Sequence, residues 1–220
     1  MRIDAKTLSD KAAHDLLKGC VVPRPIAWVT TLGPGGVVNA APYSCFTFVA
    51  TRPPMVCFSV ERRGAEKKDT LRNLERTGDF VVNVVPDSLA EAMNATSADY
   101  PPDVSELAEV GLTAAASDRV TSPRIAECPI SLECRVSEVL ELGASPGDPK
   151  RRKARLGTPG HSLVIAEVLV FHVRDELYRN GEIDQSLLRP VGRLSGNLYL
   201  RAADVFELAR PWLENDRPAK

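Results

Sequence analysis

Residue types capable of chemistry gather in three separated stretches of this chain. Lys67-Lys68-Asp69-Thr70, with Asn73 just beyond, sets two ammonium groups directly before a helix start. Helix N-termini expose unpaired N–H groups and a partial positive charge, so anions bind there. With the Thr70 hydroxyl added, the stretch suits a phosphate; taken alone it also describes a capped surface helix. In the second stretch, Asn39-Ala40-Ala41-Pro42-Tyr43-Ser44-Cys45-Phe46, small residues let a ligand approach the backbone, Asn39 and Ser44 supply short polar groups, and Cys45 is the one cysteine placed in such a motif. The third is PRPIAWVTT, residues 23–31. Its two prolines fix the backbone and remove two N–H donors, which holds Arg24 extended. A cation followed by Trp28 suits a ligand with an anionic and a planar part, while a Trp filling core is the bland alternative.

Together the stretches specify an anion site, an apolar slot and several small donors, the three needs of flavin mononucleotide. Other catalytic templates are missing: the sequence has no G-x-S-x-G, G-x-x-x-x-G-K-[ST], G-x-G-x-x-G or H-E-x-x-H. Gly33-Pro34-Gly35-Gly36 joins two strand candidates and reads as a hairpin turn rather than a phosphate cradle. Of the three histidines, His14 lies on the first helix and His172 is mid-strand and structural in type. His161 opens a strand after Gly160, where a side chain can reach a cleft. The five cysteines form no C-x-x-C and have no histidine spaced to complete a zinc site, so neither a disulfide framework nor a metal centre is expected.

The elements that must position these residues are mostly strands. Strands are expected over Ile26–Leu32, Val37–Ala40, Pro42–Val49, Met55–Val60, Phe80–Val85, Ile130–Leu142 and Ser162–Val173, from their β-branched and aromatic content and the Gly/Pro breakers between them. Short helices are expected over Thr7–Leu17, with Gly19 as a stop, over Leu71–Arg76 capped by Asp69-Thr70 and ended by Gly78, over Ser88–Thr96 and, as one turn, over Ser105–Val110. The Gly/Pro-rich stretch 143–160, with the basic run Lys150-Arg151-Arg152-Lys153, reads as a solvated loop. A strand or turn is expected near Tyr199 and near Val205–Leu208. Strands and helices do not alternate regularly, which argues against a doubly wound sheet and for a barrel or sandwich with peripheral helices in one domain, residues 1–220.

Composition narrows the class. The chain has 220 residues, 44% hydrophobic and 26% charged, as in ordinary globular proteins. A net charge of −1 and 5% aromatics disfavour a nucleic-acid binder or a membrane-surface protein. No apolar run approaches a membrane span, and the N-terminus lacks a signal-peptide core, so a cytoplasmic protein is expected.

In order, PRPIAWVTT, N-x-A-P-Y-S-x-F, R-P-P-M-V-x-F-S, K-D-T-x-x-N, D-F-V-V-N-V and S-P-R-I resemble the flavin reductase-like, FMN-binding split-barrel family that includes flavoredoxin. The match runs from about Gly19 to Tyr199. The resemblance implies a mainly β Greek-key split barrel with peripheral helices. It implies a homodimer with FMN near the subunit interface, and transfer of reducing equivalents from NADH or NADPH through flavin to an acceptor. By motif, Arg24, Ile26, Trp28 and Thr30 would line the flavin site. Asn39, Ser44, Cys45 and Phe46 would flank the ring, and Ser59, Lys67, Lys68, Thr70 and Asn73 would serve the ribityl-phosphate end. His161 would neighbour flavin or nicotinamide, although this chain has Pro159-Gly160 where relatives have Gly-Asp. Arg193 and Tyr199 resemble a closing C-terminal segment. A flavin-binding electron carrier without a nicotinamide reaction needs the same pocket.

Overall fold

The structure, a computed structural model, describes residues 1–62, 66–143, 160–202, 204–209 and 211. The expected basic loop at 150–153 and Pro159 lie outside the described residues. The chain opens with α1 (Asp10–Cys20), β1 (Arg24–Pro25), β2 (Ala27–Leu32), β3 (Val38–Tyr43), β4 (Phe46–Thr51) and β5 (Pro54–Glu61). Then come α2 (Asp69–Thr77), β6 (Asp79–Val84), α3 (Ala90–Ala95), α4 (Glu106–Glu109), β7 (Ala114–Ala115), β8 (Arg124–Ile125), β9 (Ile130–Leu142) and β10 (His161–Val173). The elements β11 (Tyr178–Arg179), β12 (Glu182–Ile183), α5 (Gln185–Leu188), β13 (Val191–Arg193) and β14 (Tyr199–Arg201) complete it.

Seven strands form one antiparallel sheet in the order β3-β2-β6-β9-β10-β5-β4, which curls until β3 lies against β5. Its edges, β3 and β4, are not laddered to each other, so the barrel is split. A small sheet, β1-β13-β14, sits beside it. Alternation along the strands sorts the core. Val29, Tyr43, Phe58, Phe80, Val82, Cys134 and Val164 fill the barrel, and Leu71 and Leu74 of α2 plug one mouth. Ile26, Trp28, Ala40, Val85, Met93, Leu107 and Ile125 form a second core outside the barrel wall. With both faces covered, β2 buries Ala27, Trp28, Val29, Thr30 and Thr31 without interruption.

Four expectations need correction. Pro42–Val49 is not one strand: β3 runs through Pro42, which stands opposite Trp28, and Ser44-Cys45 breaks the chain before β4. Lys68, rather than Asp69-Thr70, is the N-cap of α2, because Thr70 is turned inward to the barrel mouth. Val205–Leu208 forms no strand and is exposed. Gly19 does not stop α1, which ends one residue later, but Ser9 caps it with Oγ 3.2 Å from the Ala12 amide, and Gly78 ends α2 with φ +71°, a conformation that favours glycine.

A segment running from Thr113 to Cys128 lies over the outer face of β6 and β9 and is pinned there by three buried polar side chains. The Asp79 carboxylate accepts from the Thr121 and Ser122 amides at 2.9 and 3.1 Å. Asn83 accepts from the Ile125 amide at 2.9 Å and donates to the Trp28 carbonyl at 3.0 Å. Glu133 accepts from the Asp118 and Arg119 amides at 2.7 and 2.6 Å. The D-F-V-V-N-V motif therefore alternates barrel core with anchors for this strap.

Candidate active site

The mouth plugged by α2 carries a cleft of about 310 Å³. Its floor is β3 (Asn39, Ala41, Tyr43) and Glu106 at the start of α4, one wall is the approach to α2 (Lys67, Lys68, Thr70), and the other is the loop Thr96–Pro102. A smaller cavity of about 140 Å³ adjoins it and shares Asn39, Asp69, Arg72 and Glu106.

The floor is a closed hydrogen-bond network. The Tyr43 hydroxyl donates to Thr70 Oγ1 at 2.8 Å, which donates to Asn39 Oδ1 at 2.9 Å. Asn73 Nδ2 donates to Thr31 Oγ1 at 3.0 Å, and Thr31 Oγ1 donates to Asn39 Oδ1 at 3.3 Å. Asn39 Nδ2 and the Ala40 amide donate to the two Glu106 oxygens at 2.6 and 2.9 Å. Burial raises the Glu106 carboxyl above its ordinary value, opposed by those donors. Burial likewise raises the Tyr43 phenol, so it stays a neutral donor.

The rim is of mixed charge: Lys67, Lys68 and Arg72 stand among Glu66, Asp69 and Asp99. Lys67 pairs with Glu75, and Arg72 pairs with Asp69 and donates to the Lys67 carbonyl. Lys68 has no ion pair among the described residues. Its side chain does not cap α2, so the helix's first-turn amides keep no side-chain acceptor. An unpaired ammonium beside uncapped helix amides is a seat for a dianion.

The three sequence stretches do not all converge here. Asn39, Lys67, Lys68 and Thr70 line the cleft, and Asn73 lines the adjoining cavity. Arg24 does not face it: the guanidinium is buried and donates to the Lys18, Val21 and Leu194 carbonyls at 2.9, 2.7 and 2.9 Å and to Ser44 Oγ at 3.3 Å. It ties α1 and the 194 turn to the β3–β4 break instead of presenting charge to solvent. Ile26 and Trp28 are core, the indole donating to Thr96 Oγ1 at 2.9 Å behind the cleft wall, and Thr30 donates to the Pro123 carbonyl at 2.5 Å under the strap. These side chains line neither of the two cavities, because β2 is covered on both faces.

Ser44, Cys45, Phe46 and Ser59 form a separate patch at the start of β4. Cys45 is exposed, and its carbonyl accepts the Ser59 amide at 2.9 Å. His161, half-buried, opens β10 opposite Glu61 and Leu142 and does not line the cleft. Arg193 stacks on Tyr199, 4.3 Å from the ring centre, and Tyr199 donates to Asn94 Oδ1 at 2.8 Å. That pair braces β13 and β14 against α3 and lies outside the cleft. Glu106 and Tyr43 are floor residues that the sequence reading passed over. Tyr43 stood inside a quoted motif, but nothing in the spacing around Glu106 signals that its carboxylate is enclosed.

Residues 19–188 match the family described as flavin reductase like domain. Nitrilotriacetate monooxygenase component B from Bacillus cereus is 36% identical, with TM-score 0.88, covering 94% of this chain and 98% of that one. 2-Nitrobenzoate 2-nitroreductase NbaA from Pseudomonas fluorescens is 31% identical, with TM-score 0.82 and 96% of each chain covered. A Shewanella frigidimarina protein with a split barrel domain is 20% identical, with TM-score 0.78, covering 96% of this chain and 100% of that one, and supports the fold. No helix among the described residues is long and apolar enough to cross a membrane.

Proposed function

Because this chain belongs to the flavin reductase like domain family, we propose that it is an FMN-dependent oxidoreductase drawing on NADH or NADPH. The observation that carries the FMN assignment is Lys68 at the N-cap position of α2, which has no side-chain cap, at the rim of a cleft of about 310 Å³. Polarity grades across that cleft. Lys68 and the α2 amides attract a phosphate at the rim, while Glu106 and Asn39 at the floor accept from and donate to hydroxyl groups. A ribityl phosphate carries both features. The small side chain of Ala41 leaves the β3 backbone open to close approach. The Ser44–Phe46 turn and Ser59, next along the barrel rim, flank the flat ring.

FMN supplies the redox chemistry when bound. The protein's part is to hold the phosphate, orient the polyol and keep one ring face open. No side chain here is required as a nucleophile, in keeping with the absence of nucleophile–base pairs in the sequence. Phe48 and Val49 on the edge strand β4 are 72% and 50% exposed, and Leu198 and Phe206 are exposed too. Apolar surface on an unpaired edge supports a homodimer. We place the protein in the cytoplasm.

Two acceptor classes deserve first trial, since the 36% identical protein is a monooxygenase component and the 31% identical one a nitroreductase: a partner oxygenase and a small nitroaromatic. The test is anaerobic mixing of FMN-loaded protein with NADH and with NADPH. Loss of the oxidised flavin band near ~450 nm, the cofactor's own absorption, is expected with at least one donor. A band that persists with both leaves a flavin-binding electron carrier and removes the reductase.

A further inference from the structure

On the outer face of the barrel, under the strap and apart from the cleft, Asp118, Glu133 and His172 bring a carboxylate oxygen, a second carboxylate oxygen and an imidazole nitrogen within 4.8 Å of one another. We propose that these three side chains form a site for a divalent first-row transition metal, with zinc as the probe, that clamps the strap to β9 and β10.

Glu133 is the centre of the argument. It is fully enclosed, and among the described residues it has no Lys or Arg partner; His172, with Nε2 2.6 Å from Oε1, is the only side chain that can offset its charge. Buried charges are paired or coordinate metals. A cation bound between Oε1 and Nε2 would offset the enclosed carboxylate directly. Its orientation is already fixed. The Asp118 amide donates to Oε1 at 2.7 Å and the Arg119 amide to Oε2 at 2.6 Å, the outer-shell support that metal-ligating carboxylates need.

The remaining geometry needs one larger movement: the two carboxylate oxygens lie within 4.8 Å of each other and must close by up to about 1.4 Å, which the exposed Asp118 side chain can supply. Two ligands of a tetrahedral zinc stand about 3.4 Å apart, from metal–ligand distances of about 2.1 Å. His172 Nε2 is 3.9 Å from Asp118 Oδ2, already close to that spacing. The contact between Nε2 and Oε1 must open by less than about 1 Å. The His172 side chain is 21% exposed and that of Asp118 68% exposed, so both have room to adjust and water has access to a fourth position. One nitrogen and two carboxylate oxygens suit zinc, manganese, cobalt or nickel rather than copper(I) or an iron–sulfur cluster. In the fold, a metal here would join the strap, through Asp118, to adjacent strands of the large sheet, adding a fourth anchor to those of Asp79, Asn83 and the Glu133 amide pair.

The test is calorimetric titration of zinc chloride into the chelator-treated, tag-free full chain, beside Asp118→Asn and His172→Gln. These two side chains are partly exposed, so both variants are expected to fold, and matching circular dichroism confirms it. One equivalent of zinc per chain is expected, with the dissociation constant raised about tenfold or more by each substitution, the usual effect on metal affinity of disturbing such a site. Zinc should also raise the melting temperature of the wild type and not that of His172→Gln. No saturable binding by the wild type, or binding equal in all three proteins, overturns the proposal. Flavin affinity does not enter this readout, so the site and the flavin reading stand or fall separately.

Discussion

The assignment of phosphate to the α2 rim makes the two adjacent lysines unequal, and the difference can be measured. Lys67 is spent on Glu75, whereas Lys68 has no ion pair among the described residues and stands at the N-cap position of a helix without any side-chain cap. A charge-assisted hydrogen bond to phosphate contributes about 1.5–3 kcal/mol. Lys68 is only half-buried, and solvent screening favours the lower end, which corresponds to about a tenfold change in Kd. Removing Lys67 costs less, under about fivefold, because an exposed pair is worth at most about 1 kcal/mol and Glu75 is already compensating it. Lys68→Ala should therefore weaken FMN about tenfold, Lys67→Ala markedly less, and the double variant by more than about tenfold. Quenching of flavin fluorescence on titration gives each constant. Riboflavin, which lacks the phosphate, is the control, and its affinity should be the same in all four proteins. If Lys68→Ala leaves the FMN constant unchanged, or weakens riboflavin equally, phosphate does not sit at this rim.

Three further outcomes follow from the packing. Trp28→Ala should destabilise by about 3–5 kcal/mol, the range for a large buried aromatic, read by urea denaturation; a loss under about 1 kcal/mol would mean the site collapses without cost. Arg24→Leu leaves the Lys18, Val21 and Leu194 carbonyls without their donor and should cost about 2–4 kcal/mol, with faster proteolysis near α1; unchanged stability would mean that water replaces the guanidinium. Glu106, raised by burial from its ordinary 4.5, contributes stability that is complete below that pH and is lost as pH rises through the higher folded-state value. Wild type should thus lose stability relative to Glu106→Gln from about pH 4.5 upward, and the opposite slope in denaturation curves would contradict the burial argument.

Much of the barrel could be read from the sequence because its strands announce themselves. The β-branched runs at 130–142 and 162–173 coincide almost residue for residue with β9 and β10, and Gly78 marked the end of α2. Pro42 misled because proline usually starts or edges a strand, and here it does sit on an edge, but inside β3 rather than at the head of β4. The site was legible only in part. Lys68, Asn39 and Thr70 reach the cleft from two of the three stretches, since a helix N-terminus and a small-residue strand advertise their function locally. Trp28 looked like a ligand contact because type and order do not reveal whether a strand has an open face, and β2 has none; Arg24, in β1, looked like one because its three carbonyl partners come from α1, the turn after it and the distant 194 turn. Glu106, Asp79, Asn83 and Glu133 were invisible for the reverse reason. Their burial depends on a strap and a short helix whose contacts with them come from residues 14–67 positions away along the chain.

The most direct test of the central claim is reconstitution of the folded, flavin-stripped chain with FMN under equilibrium dialysis, counting flavin per chain. One FMN per chain, retained by wild type and released more readily by Lys68→Ala, is the expected result. A properly folded chain that takes up no FMN at any concentration tried would contradict the account.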